Sequence, residues 1–330
     1  MKKVLIFCIC FLCTMVSVHA ESYCVLASAD NTVVEEKNMH EPQSVASISK
    51  IMTAIVALEQ GKLEDTWQVQ KEILQAVGSS IYLKVGQEVS LQSLLYGLML
   101  RSGNDAAIAI ATRISGSEEA FVKLMNEKAS EIGMLNTTFH NASGLDEDGV
   151  GNISTAYDMA ILMSYAMKND MFREIAGSQY YTSEWNIRWQ NKNKLLFDFP
   201  FTTGGKTGYT KMAGRTLVTS AQNNITESIV VTLRQSDDFN FHKEKHKAVY
   251  DAVKTVEIVK AGTYRVNQQE FVIEEPIRIT LKQDGSDTVD VYTHFKDGEF
   301  IIEVQKNDQT DLYSYQASTA SNSVFKKVFS

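Results

Sequence analysis

The chain opens on an almost unbroken apolar run, residues 4–18, behind the basic pair Lys2 and Lys3. Val18-His19-Ala20 follows as a small-x-small cleavage site. This pattern predicts a secretory leader over residues 1–20, too short and wrongly flanked to span a membrane. Residues 22–36 then alternate around Ala29-Asp30-Asn31-Thr32, which predicts a hairpin. From Ser47 to about Gln60 the period lengthens. Ile51, Ile55 and Leu58 recur at three- and four-residue spacing, and Gly61 ends the helix they imply. Residues 91–132 read as helices interrupted at Ser102-Gly103-Asn104. A Gly- and Asp-rich loop over 141–152 leads to a further helix over 154–168, capped by Ser154 or Thr155.

Residues 200–235 change to a β pattern, with Gln222-Asn223-Asn224 as the turn between two apolar runs. Residues 243–260 read as helix. After Gly262 the character shifts to short alternating runs separated by Gln268-Gln269, Asp284-Gly285-Ser286 and Lys296-Asp297-Gly298, a small all-β module. The expected organisation is a leader over 1–20, a catalytic domain over 21–258 and a β-rich domain over 262–330. No apolar run after residue 20 is long enough to cross a bilayer. The tail Val324-Phe325-Lys326-Lys327-Val328-Phe329 offers at most weak contact with a membrane surface, and a frayed terminus is the simpler expectation.

Composition adds limits. The chain has 330 residues, 44% of them hydrophobic and 22% charged, which is a globular profile. The formal charge is −8; removing the leader takes two lysines and no acid and leaves −10. An acidic chain without a basic run argues against nucleic acid as a partner. Three of the four cysteines fall in the leader, so the mature chain keeps only Cys24 and builds no internal disulfide framework. Cys24 reads as a small buried strand residue. The six histidines show no metal-ligand spacing, and no zinc site is expected.

Three short motifs carry candidate chemistry. Ser47-Ile48-Ser49-Lys50 opens a helix and puts a hydroxyl and an amine one turn apart on one face. A serine becomes a nucleophile when a base takes its proton, and a lysine of lowered pKa is such a base. Taken alone this is a common pattern; Ser323 to Lys326 repeats it without meaning. Ser102-Gly103-Asn104 lies between two apolar helices and on its own reads as a helix cap. Lys206-Thr207-Gly208 follows Gly204-Gly205. It offers a cation, a hydroxyl and close backbone approach, or else is a polar edge strand.

Together and in this order, S-x-x-K, S-x-N and K-T-G form the signature of β-lactamases and penicillin-binding proteins, here with S-G-N in the middle. The residues around the motifs agree. They include Met99 to Ala107, Phe139 to Asp146, Ser154 to Ala160 and Gly205 to Thr210. Over roughly residues 22–258 the sequence resembles the serine-type D-alanyl-D-alanine carboxypeptidases, the low-molecular-mass penicillin-binding proteins of peptidase family S11. The resemblance implies an α+β fold, a β-lactamase/transpeptidase-like domain with an antiparallel sheet and a helical region, followed by a small all-β domain. It implies removal of the terminal D-alanine from peptidoglycan stem peptides ending in D-Ala-D-Ala, covalent inhibition by β-lactams, no cofactor, and work outside the cytoplasm.

By the same resemblance Ser47 is the acylated nucleophile, Lys50 its base, and Ser102 the relay toward the leaving amine. Asn104 holds the substrate amide and orients Lys50. Lys206 and Thr207 bind the terminal carboxylate, Gly208 lets the substrate approach, and the N–H groups of Ser47 and Tyr209 form the oxyanion hole. Asp105 and Asp158 are helix N-terminal acids of structural use. One departure stands out. Where the family often has an Arg for the carboxylate, this chain has His242, in a D-D-aromatic-x-x-H run similar to that of Gram-positive, often spore-forming bacteria. Many members also end in an amphipathic anchor, which this tail does not resemble. Three alternatives share the motifs: a β-lactamase, a DD-endopeptidase and a non-catalytic peptidoglycan-binding relative. The first needs a Glu-activated water, and Glu131 and Glu174 read as surface residues.

Overall fold

A computed structural model describes residues 21–146, 149–296, 298–317 and 326–328. The leader, residues 1–20, lies outside the described residues, as do Val324, Phe325 and Phe329 of the tail.

The hairpin predicted first is β1, Ser22–Ala27, and β2, Thr32–Lys37. It joins three strands from far along the chain: β3, Thr202–Thr210; β4, Gly214–Asn223; and β5, Thr226–Leu233. The sheet runs β2-β1-β5-β4-β3, antiparallel throughout. Because β1 and β5 are interior strands with both faces covered, they read as near-continuous apolar runs rather than clean alternation. One face, with Leu26, Val218, Ile229 and Val231, packs on the main core of helices. The opposite face, with Val25, Ala27 and Val230, packs on Val249 of a late helix. Cys24 is buried and free in β1.

The helical side is α1, Lys50–Gln60; α2, Leu91–Arg101; α3, Asn104–Ser115; α4, Glu118–Glu131; α5, Ala156–Ala166; and α6, Asp170–Gly177. Polar residues begin four of them. The side chains of Ser90, Ser117, Thr155 and Asn169 each accept a backbone N–H from the first turn of α2, α4, α5 and α6. Of the two candidates, Thr155 rather than Ser154 is therefore the α5 cap. A single turn, α7, Leu195–Asp198, precedes β3.

The helix expected over 243–260 is different in both bounds. Helix α8 is Asp238–Ala252, and the chain then becomes a strand, β6, Val253–Val259. Val253, Thr255, Val256, Ile258 and Val259 are β-branched, and Val253 and Thr255 are buried on one side of the ladder. β6 pairs with β9, Ile277–Lys282, across the hairpin of β7, Gly262–Val266, and β8, Gln269–Ile273. A second sheet follows in the order β10, Val289–Lys296; β11, Glu299–Lys306; β12, Gln309–Gln316; and β13, Lys326–Val328. Phe271, Ile279, Phe300, Ile302 and Tyr313 form its own core. So the C-terminal β-structure begins at Val253. Among the described residues no helix is long and apolar enough to cross a membrane.

Candidate active site

Ser47 sits in a tight 3-10 turn, Ala46–Ser49, that feeds α1. Ala46 has φ 52°, a left-handed conformation costly for a residue with a Cβ. Neighbours hold the turn. Thr216 Oγ1 donates to Val45 O at 3.0 Å, Ser49 Oγ to Ala46 O at 2.8 Å, and Val45 N to Asn152 O at 3.0 Å. The turn leaves Ser47 half-buried while Lys50, one turn on, is fully buried.

Lys50 is the hub. Its Nζ lies 3.0 Å from Ser47 Oγ and 2.7 Å from Asn104 Oδ1, and it also donates to Ser143 O. None of these partners is an anion. Burial first, then the charge of Lys192, pushes its pKa down to about 7, against a smaller upward pull from Asp105. An amine neutral near physiological pH, in contact with a hydroxyl, is a general base.

Ser102 and Asn104 come from the break between α2 and α3. Ser102 ends α2 in the left-handed region, φ 62°. Lys206 Nζ donates to its hydroxyl at 3.0 Å and to Thr207 O at 2.7 Å. Burial, Lys50 and Lys192 together drive Lys206 well below the usual lysine range. An arriving carboxylate would restore its charge, so the site favours an anion there. Asn104 Nδ2 donates to Val77 O at 2.5 Å, which fixes the amide so that its oxygen faces Lys50. Asp105 anchors the loop before α2, accepting from Ile81 N and Leu83 N at 3.0 Å and from Ser80 Oγ at 2.6 Å. Asp158 accepts from Asn136 N and Thr137 Oγ1, both at 2.8 Å.

The edge strand β3 closes the site. At Gly208 a Cβ would lie 2.3 Å from Thr216 Oγ1 and 3.0 Å from Ser47 N, so only glycine lets β3 lie against the Ser47 turn. Thr207 is half-buried, and Tyr209 is 68% exposed at the rim. Among the described residues β3 pairs on one side only, which leaves its other backbone edge open along the cleft.

His242 does not join this group, which corrects the carboxylate role expected for it. It lies on α8, across the sheet from the helical core. It is fully buried, with Nδ1 2.7 Å from Thr219 Oγ1 and Nε2 2.9 Å from Thr232 Oγ1. Thr219 also meets His246 Nε2 at 2.8 Å, and His246 Nδ1 meets Ser228 Oγ at 2.7 Å. Burial, then His246, holds His242 well below its ordinary pKa, and burial takes His246 to about 3. Both rings are neutral, satisfied and closed to solvent.

Other residues of the site have no role assigned from the sequence, although the run Phe139 to Asp146 is part of the resemblance. Ser143 serves Lys50 through its backbone carbonyl. Its loop is shaped by Asn141, whose Oδ1 accepts from Gly144 N at 2.6 Å and Ser143 N at 3.2 Å. Asp146 accepts from Ser44 Oγ at 2.8 Å and from Thr210 Oγ1, tying the Ser47 segment to β3. Lys192, near the mouth, reaches Ser79 Oγ at 3.3 Å and lowers both buried lysines by its charge. Among the described residues no cluster of His, Cys, Asp and Glu could hold a metal.

The model of peptidase S11, D-alanyl-D-alanine carboxypeptidase, matches residues 12–237. The chain belongs to the peptidase S11 family. It is 35% identical over 303 residues to the D-alanyl-D-alanine carboxypeptidase DacF of Bacillus subtilis, covering 84% of this chain and 76% of that protein. The solved D-alanyl-D-alanine carboxypeptidase from Mycobacterium tuberculosis H37Rv shares 28% identity at a TM-score of 0.64, over 70% of this chain and 89% of the other. For the fold alone, penicillin binding protein 6B of Escherichia coli aligns over 90% of this chain and 94% of its own at a TM-score of 0.70 and 24% identity. That alignment extends the shared α+β fold past the sheet and helices into the C-terminal β-structure.

Proposed function

We propose that the protein is an extracytoplasmic serine DD-carboxypeptidase that cleaves the terminal D-alanine from peptidoglycan pentapeptide stems through a Ser47 acyl-enzyme, with β-lactams as covalent inhibitors. One observation carries this reading. A buried lysine of pKa near 7 touches the hydroxyl of a half-buried serine. The substrate backbone would lie along the open edge of β3, with its carboxylate at Lys206 and Thr207 and the scissile carbonyl oxygen at the N–H groups of Ser47 and Tyr209. Neutral Lys50 takes the Ser47 proton as Oγ attacks the carbonyl carbon. The tetrahedral intermediate collapses, the C–N bond breaks, and the leaving amine receives a proton through Ser102. The D-alanine departs and leaves an ester on Ser47. Lys50 then takes a proton from water, whose oxygen attacks the ester, and Ser47 regains its hydrogen. No cofactor takes part.

The division into a leader over 1–20, a catalytic domain and a β-rich C-terminal domain belongs to the same reading. So does the absence of a nucleic-acid partner and any light touch of the tail on a membrane surface. Glu131 pairs with Lys128, and Glu174 accepts from Tyr96 at 3.0 Å; neither is bonded to the Ser47–Lys50 pair as a β-lactamase water-activating Glu would be. The test is D-alanine release from a pentapeptide ending in L-Lys-D-Ala-D-Ala, with release expected from the wild type. No release, with the fold intact by circular dichroism, would contradict the reading.

A further inference from the structure

Strand β10, Val289–Lys296, is exposed along nearly its whole length. Among the described residues it pairs on one side only, with β11, and its other backbone edge is open over eight residues. Its two faces follow from its register with β11. Val291, Thr293 and Phe295 lie opposite Val304, Ile302 and Phe300, on the face of the C-terminal core. Asp290, Tyr292, His294 and Lys296 face the other way. The core does not cover the inner face of β10: Val291 remains 44% exposed and Phe295 37%. A long open edge with apolar residues and no Pro or bulge is what soluble proteins avoid unless something pairs with it.

The sequence of the strand says what fits. Asp290-Val291-Tyr292-Thr293-His294-Phe295-Lys296 is chemically palindromic about Thr293. In an antiparallel pairing of two such strands centred there, Asp290 stands opposite Lys296, Val291 opposite Phe295 and Tyr292 opposite His294. Thr293 meets its own copy. Directly opposed residues share a face in an antiparallel ladder. The register therefore keeps the apolar side of both sheets continuous while setting two opposite-charge pairs on the outer side. A shift by one residue would put apolar against polar faces.

We propose that β10 is a self-association edge. It pairs antiparallel with β10 of a second copy about a two-fold axis at Thr293, joining the two C-terminal sheets into one. The symmetric contact is self-complementary and closes on itself, so it makes a dimer rather than a fibre. It buries Val291 of each copy under Phe295 of the other, and it lies on the C-terminal sheet, apart from the Ser47 turn and β3.

The test is sedimentation velocity of the chain from residue 21 to 330, from low micromolar to several hundred micromolar. The wild type is expected to self-associate as monomer and dimer. Asp290→Lys puts like charges opposite each other twice and should weaken the dimer about tenfold or more. Lys296→Asp should do the same. The exchange of both, Asp290→Lys with Lys296→Asp, should restore wild-type association. Both side chains are exposed, so each variant should label with penicillin as the wild type does, which confirms folding. A wild type that stays monomeric throughout overturns the proposal. So does a dimer that the single reversals leave unchanged or the double exchange fails to restore.

Discussion

In the proposed mechanism Lys50 is the base, and its protonation sets the rate. With a pKa near 7 it is mostly charged, and useless as a base, well below neutrality. Acylation by penicillin should therefore rise with pH up to about 7 and level off above, falling about tenfold per unit on the acid side. Lys50→Arg, which cannot lose its proton, should lower acylation by about a hundredfold or more across the range. Stopped-flow acylation rates check both, and an acid-independent rate would move the base elsewhere. The two buried histidines behave in the opposite sense to a charge donor. Unfolded, they take protons below about pH 6.5; folded, they stay neutral. Stability must then fall as pH drops below about 6.5, by up to about 1.4 kcal/mol per unit for each ring. Urea midpoints at neutral and mildly acidic pH would show the loss, and resonances of the His242 and His246 rings titrating near about 6.5 would contradict it. Ser47, Lys50, Ser102, Asn104 and Lys206, which the structure brings together, were legible because each lies in a short motif and meets the others through its side chain. His242 was misplaced because a motif position does not tell which face of a sheet a side chain takes. Ser143 lay in a run that supported the resemblance, but its part was not assigned, because it meets Lys50 through a carbonyl that any residue has.

At the scale of elements, the site is a meeting of one turn, one loop and one edge strand. One tight joint is Gly144, with φ +74°, where a Cβ would lie 2.1 Å from Ala46 O and 2.4 Å from Ser49 Oγ. Gly144→Ala should displace the Ser47 turn, costing about 3 kcal/mol or more in stability and most of the acylation rate. Thermal unfolding and penicillin labelling of the same preparation check this; wild-type values for both would show that the loop does not brace the turn. The hairpin, α1, the break at Ser102 and the β3–β5 strands were readable from period and turn residues. The bounds of α8 were not. His242, His246 and Val249 give a helical period, and the switch to strand at Val253 is decided by a partner, Ile277–Lys282, that lies beyond any local window.

Over the whole molecule, the N-terminal hairpin and the C-terminal β-structure are clasped together. Lys306 Nζ lies 2.7 Å from Asp30 Oδ2 and 2.7 Å from Thr32 Oγ1, and Thr280 N donates to Asp30 Oδ2 at 3.0 Å. Burial alone would raise the Asp30 carboxyl; Lys306 and the Thr280 N–H outweigh it and hold it below the usual range. The clasp's contribution is therefore full above about pH 4 and is lost as pH falls below that. Lys306→Met leaves a buried carboxylate unpaired, at a cost of about 3 kcal/mol. It should lower the melting temperature yet leave penicillin acylation at room temperature unchanged. An unchanged melting temperature would mean that the clasp contributes nothing. Asp30 had shown only as a turn residue, since a contact across 276 positions leaves no trace in local pattern. The central claim concerns one bond, the ester on Ser47, and intact-protein mass spectrometry after a short exposure to penicillin measures it directly. One adduct per chain on the wild type, none on Ser47→Ala, and its location on the peptide containing Ser47 is the result the account predicts. An adduct that persists in Ser47→Ala, or no adduct on folded wild-type protein, would contradict it.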